Sequence, residues 1–143
     1  MNRPPGSILL GGATVAVVAA VVAGLFALGS PTEERARRLD TRRVADLQGI
    51  MTANSLYWTR HARLPATLEE LVSEPGVQIS TADPATAEDY AYQLVDSIRY
   101  EVCATFDLPS GQIARDPMRD LWAHAAGPQC FSLEAKDISD RER

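Results

Sequence analysis

The chain has 143 residues, of which 45% are hydrophobic and 23% charged, and its formal net charge at pH 7 is −5. Outside one apolar segment near the start, the remainder has the size of a single domain. Nucleic-acid binding needs lysine and arginine clustered on a domain surface, so the acidic balance of residues 64–143 argues against a nucleic-acid-binding role.

An apolar run from Ile8 to Leu28 contains neither a charged residue nor a proline. In a helix it would reach roughly 30 Å, which is the thickness of the hydrocarbon core of a bilayer. The sequence therefore predicts a transmembrane helix over residues 8–28, after a short tail at 1–7. The alternative is a cleaved signal peptide, whose apolar region is normally shorter, at about 7–15 residues.

Small residues recur at every fourth position of this run. On a helix, such a stripe lets a second helix approach closely. The sequence therefore predicts a helix-packing face formed by Gly12, Ala16, Ala20 and Gly24.

A second helix is predicted between residues 29 and 63. Glu33 and Glu34 suit the positive end of its dipole, and Leu64-Pro65 ends it because the residue before proline disfavours helix. The polar first half is predicted to be a solvated juxtamembrane stalk. The second half is amphipathic and predicted to be buried along one face, formed by Val44, Leu47, Met51, Asn54 and Trp58.

Residues 64–133 are predicted to form an α+β head. Thr67 and Glu70 have the spacing of a capping box at the start of a short helix. Alternating apolar residues then predict strands at 90–94 and 98–106, and a last strand at 129–133. The predicted fold is α+β: a transmembrane helix continuing into a long amphipathic helix that packs on a small antiparallel β-sheet, with a charged tail at 134–143.

Two signals disagree about which side of the membrane the head faces. Arginines dominate after the apolar run, and the positive-inside rule would place the head in the cytoplasm. They are Arg35, Arg37, Arg38, Arg42 and Arg43, against only Arg3 before it. The cysteine pair, Cys103 and Cys130, instead fits a disulfide formed in an oxidising compartment, with two free thiols as the alternative.

The order of these elements resembles the type IV pilins and the major pseudopilins of type II secretion systems. The resemblance covers residues 8–133 and is carried by the apolar run that flows into a helix and by five segments: RRVADLQGIMTANSLYW, RLPATLEELV, DPATAEDYAY, RYEVCATF and WAHAAGPQCF. It implies a pilin-like fold whose head is exported to the periplasm. Together with the cysteine pair, it favours a disulfide between Cys103 and Cys130 and a single-pass protein of the bacterial inner membrane.

The chain departs from the family pattern at its amino-terminal end. Family members carry a glutamate five positions after the processing site, which helps neighbouring subunits assemble; here Gly11 is fifth after Gly6, and no glutamate lies before Leu28. A calcium site of the family is not carried over either, since Asp107, Asp116 and Asp120 match no ligand pattern.

An enzyme or metal protein is the weakest alternative. A thiol nucleophile would need a reduced cysteine beside a histidine, such as His124. Zinc could use Cys103, His124, Cys130 and His61 by ligand type, but their spacing matches no common zinc pattern. No catalytic, cofactor-binding or metal residue is therefore predicted.

The predicted function is that of a non-catalytic accessory subunit. It would pack its membrane helix and periplasmic head onto a larger membrane protein complex, either a respiratory or photosynthetic complex or an envelope secretion system, with the lipid bilayer as its other partner. The alternative is a genuine pseudopilin that assembles into a filament.

Overall fold

The computed structural model describes the backbone of residues 5–27, 30–111 and 121–135, and the side chains of 11–24, 30–111 and 121–135. Of the predicted tails at 1–7 and 134–143, residues 1–4 and 136–143 lie outside the described residues. Asp116 and Asp120 lie outside them as well. The chain divides into two compact units, Met1–Arg35 and Ala36–Arg143. The described elements are three helices and three strands.

Helix α1 covers Pro5–Ala27 and contains the apolar run from Ile8 to Ala27. A membrane-spanning helix needs about 20 consecutive apolar residues. Within the described residues, no helix combines the length and the apolar character needed to cross a membrane. This finding contradicts the transmembrane helix predicted over residues 8–28, and with it the single-pass topology and the location in the inner membrane with a periplasmic head.

Helix α2 covers Pro31–His61. Proline suits the first helical position because its missing N–H has no acceptor there, and the Ser30 carbonyl accepts the N–H of Glu34. The helix ends where Ala62 adopts a positive φ of 52°, three residues before Pro65. The predicted bounds of this helix are therefore confirmed to within two residues.

Helix α3 is the short segment Leu68–Val72, with Thr67 as its N-cap. The Thr67 hydroxyl accepts the N–H of Glu70, as the capping box predicts. The reciprocal bond differs, because the Glu70 carboxylate accepts the N–H of Ala66 rather than that of Thr67.

The sheet contains β1 (Ala91–Leu94), β2 (Arg99–Phe106) and β3 (Gly127–Glu134), in that spatial order and antiparallel throughout. Asp96 builds the β1–β2 turn, since its carboxylate accepts the N–H groups of Ile98 and Arg99. The α+β class and the antiparallel sheet are confirmed, and β3 begins two residues earlier than predicted.

One face of α2 and one face of the sheet share a hydrophobic core. The alternating residues of β2 and β3 that face this core are buried, while their neighbours face away. Its members on α2 are Leu47, Ile50, Ala53 and Tyr57, and those on the strands are Tyr100, Val102, Ala104, Phe106, Phe131 and Leu133. Of the five residues predicted to form the buried face of α2, Leu47 and Asn54 are fully buried, while Val44, Met51 and Trp58 lie at the margin of the core.

Candidate functional site

The two cysteines form a disulfide between β2 and β3. Cys103 and Cys130 are directly opposed in the strand register, with their Cα atoms 4.0 Å apart. Both side chains lie on the sheet face that points away from the core, because the flanking residues Val102 and Phe131 point into it. The predicted pairing is confirmed, and it leaves no free thiol in the chain.

An ion cluster that is buried except at Asp107 lies where the polar half of α2 meets the rest of the domain. The Arg43 guanidinium is 4% exposed and donates from Nε to Oδ2 of Asp83 over 2.5 Å. Its Nη1 donates to carboxylate oxygens of Asp40 and Asp107, each over 2.7 Å. Three carboxylates from three parts of the chain therefore share one guanidinium.

The carboxylates of this Arg43 cluster are also held by backbone N–H groups. Asp40 accepts the N–H groups of Asp107 and Leu108, just after β2. Asp83 accepts those of Ala85 and Thr86 in its own loop. The cluster thus ties the end of β2 and the loop around Asp83 to α2.

The electrostatics of the cluster are those of a permanent ion pair. Burial alone lowers the pKa of Arg43, but the hydrogen bonds to Asp83, Asp107 and Asp40 outweigh it and hold that pKa above its ordinary value. Burial raises the pKa of Asp83, yet the bonds from Arg43 and two backbone N–H groups bring it below its usual range. Neither group exchanges a proton near neutral pH, so the cluster is suited to structure rather than to acid–base catalysis.

The sequence did not predict this cluster. The sequence pattern predicts a solvated stalk over residues 34–43, whereas Asp40 and Arg43 are 6% and 4% exposed. Their i, i+3 spacing was the only local indication of a contact between Asp40 and Arg43, since residues three apart lie on one helix face. Asp83 is 40 residues away in sequence, and nothing in the sequence pattern points to its contact with Arg43.

A second set of charged contacts fixes α3 against the end of α2. The Glu70 carboxylate accepts from Arg63, from the Tyr57 hydroxyl and from the N–H of Ala66, each over 2.6 Å. These contacts, with that to Arg63 the strongest, lower the pKa of Glu70 to about 2. Glu74 similarly bonds Arg60 and His61.

The two histidines take part in separate local contacts. His61 lies 2.9 Å from the Glu74 carboxylate, while the His124 ring stacks on Phe106 with the centroids 3.6 Å apart. Since Cys103 and Cys130 are bonded to each other, neither supplies the thiolate that the zinc or nucleophile alternatives require. In the described part of the chain, no group of three or more histidine, cysteine or acidic side chains is placed to hold a metal ion.

The described segment of α1 presents apolar side chains to solvent. Five valines are between 44% and 69% exposed: Val15, Val17, Val18, Val21 and Val22. Gly12, Ala16, Ala20 and Gly24 all fall within this helix, and a Cβ added at Gly12 or Gly24 would meet nothing within 4 Å. The small-residue stripe therefore has room for a neighbouring helix, and it stays a predicted packing face.

Comparison with models of known protein families, with curated proteins and with solved structures found no match.

Proposed function

We propose that this protein is a non-catalytic structural subunit of a larger protein assembly, with α1 as its docking helix and the unit Ala36–Arg143 as its folded head. The observation that supports this proposal most directly is the exposure of five valines on α1. An apolar helix that leaves such side chains in water is costly, because each buried valine contributes about 1.5–3 kcal/mol relative to an exposed one. A contiguous apolar surface of this kind is typical of a site that a partner covers.

The head supports the same role. Its buried charged groups hold the fold together, as Arg43 does between three aspartates. Its two cysteines form a disulfide that links β2 to β3. Such a head is suited to present a rigid surface within an assembly.

The stripe on α1 gives the proposal a sharp test. Replacing Gly12 by leucine would place a large side chain within the stripe and prevent close approach of a second helix. Gly11 is the comparison variant, because a Cβ there also meets nothing within 4 Å, yet Gly11 lies on the helix face of Val15, Val18 and Val22, where a leucine keeps the surface apolar.

The assembly is measured by native electrophoresis of the full chain after mild extraction from its source. We expect the unmodified chain and the Gly11→Leu variant to migrate in one large complex, and Gly12→Leu to migrate mainly as the free chain. Migration of all three as free chain would contradict the proposal. Migration of all three in the complex would show that the stripe is not the docking face.

A further inference from the structure

The disulfide between β2 and β3 lies in a position that an external thiol can reach. Cys130 is exposed and Cys103 is partly exposed, and both are on the face of the sheet that points away from the core. Rates of thiol–disulfide exchange depend on which sulfur is attacked and on its accessibility. The exposure of these two residues therefore distinguishes this disulfide from one that is buried in a core.

The two sulfur atoms are not equally open to attack. The attacking thiolate approaches a sulfur atom along the S–S bond, from the side opposite the leaving sulfur. Because the bond joins neighbouring strands, approach to Cys103 comes from the side of β1, whose residue Ala91 is opposite Cys103 in register. Approach to Cys130 comes from beyond β3, which is the outer strand of the described sheet. Access therefore favours attack at Cys130.

The sheet can stay folded while the disulfide opens. Residues Arg99–Phe106 pair with Gly127–Glu134 along their whole length, so the strands are held by their backbone bonds as well as by the cystine. Phe131 and Leu133 also anchor β3 in the core. Opening the bond thus changes the redox state of the pair without requiring that the domain unfold.

We propose that Cys103–Cys130 is a thiol–disulfide exchange site for a partner protein that carries a dithiol, with Cys130 as the sulfur attacked. In the first step, one thiolate of the partner forms a bond to Sγ of Cys130, and Cys103 leaves as the thiolate. In the second step, the other thiolate of the partner attacks its own mixed-disulfide sulfur and releases Cys130 as a thiolate. The partner dithiol is oxidised by two electrons and the cystine is reduced by two.

Trapping of the first intermediate tests which sulfur is attacked. The folded full chain is mixed with reduced glutathione as the probe thiol, quenched with N-ethylmaleimide at successive times and mapped by peptide mass spectrometry. We expect glutathione on Cys130 and the maleimide on Cys103, while the fluorescence of the buried Trp122 stays that of the folded chain. Glutathione on Cys103, or exchange only at denaturant concentrations that unfold the chain, would overturn the proposal.

Two charge variants form a matched pair on the exposed face of the sheet. Ser132 is two residues after Cys130 on β3, and Ala91 faces Cys103 on β1; both are exposed. Because the attacking thiolate and glutathione are negatively charged, Ser132→Glu should slow exchange by about two- to fivefold, the range expected of exposed charges. Ala91→Glu should slow it less. Equal or greater slowing by Ala91→Glu would overturn attack at Cys130.

Discussion

At the scale of single residues, Arg43 is a side chain whose loss should strongly destabilise this domain. Replacing Arg43 by alanine would leave the Asp40 and Asp83 carboxylates buried without their counter-charge. Breaking a buried pair in this way typically costs about 3–5 kcal/mol. We expect the free energy of unfolding to fall by about that amount, measured by urea denaturation.

The neighbouring Arg42 provides the control for this prediction. Arg42 is exposed, so Arg42→Ala should change the free energy of unfolding by less than about 0.5 kcal/mol. Arg43→Lys keeps the charge but loses the planar fork that reaches several carboxylates, and should give an intermediate loss. A cost below about 1 kcal/mol for Arg43→Ala would show that the cluster does not hold the fold together.

At the scale of elements, the cap of α3 should be a measurable part of the stability of the domain. Thr67 accepts the N–H of Glu70, and Leu68 and Leu71, which follow it, are buried in the core. Thr67→Ala removes this acceptor and should lower the free energy of unfolding by about 1 kcal/mol, measured by urea denaturation. Thr67→Ser keeps the hydroxyl and should be nearly neutral. Equal losses in both variants would point to packing of the threonine methyl group rather than to the cap.

The elements that the sequence predicted well are those with a local cause. The alternation of Tyr100, Val102, Ala104 and Phe106 identifies one buried face of β2, because successive strand residues point to opposite sides. The spacing of Val44, Leu47, Met51, Asn54 and Trp58 identifies the side of α2 that faces the core in the same way, through the helical period. Leu47 and Asn54 are its fully buried members. These periodicities need no knowledge of the partner element, so the α+β class and the buried faces followed from the sequence.

The elements that the sequence missed depend on contacts between distant parts of the chain. The polar half of α2 looks solvated, since Asp40 and Arg43 resemble exposed charges until Asp83 and Asp107 are placed beside them. A buried arginine is stable only when its N–H donors have acceptors, and these acceptors are supplied by the tertiary fold. The disulfide was predictable because two cysteines allow one pairing, whereas its place on the outer face of the sheet required the register.

At the scale of the whole molecule, one compact unit should account for the stability of the fold and the other for binding to a partner. All the buried core residues of the described chain, from Leu47 to Leu133, belong to the unit Ala36–Arg143. Exposed α1 side chains such as Val15 instead belong to Met1–Arg35, which adds a surface for a partner under the proposed function. Removal of residues 1–35 should therefore abolish assembly while leaving the fold of the remaining chain intact.

A chain that begins at residue 36 tests this separation. Because it retains the core, the Arg43 cluster and the disulfide, we expect the midpoint of its thermal unfolding to lie within about 4 °C of that of the full chain, a shift that corresponds to less than about 1 kcal/mol. The same truncated chain should be missing from the large complex on native electrophoresis. A midpoint lowered by more than about 10 °C would show that residues 1–35 support the fold of the head. An unchanged midpoint with retained assembly would instead place the docking surface on the head, and α1 would lose its proposed role.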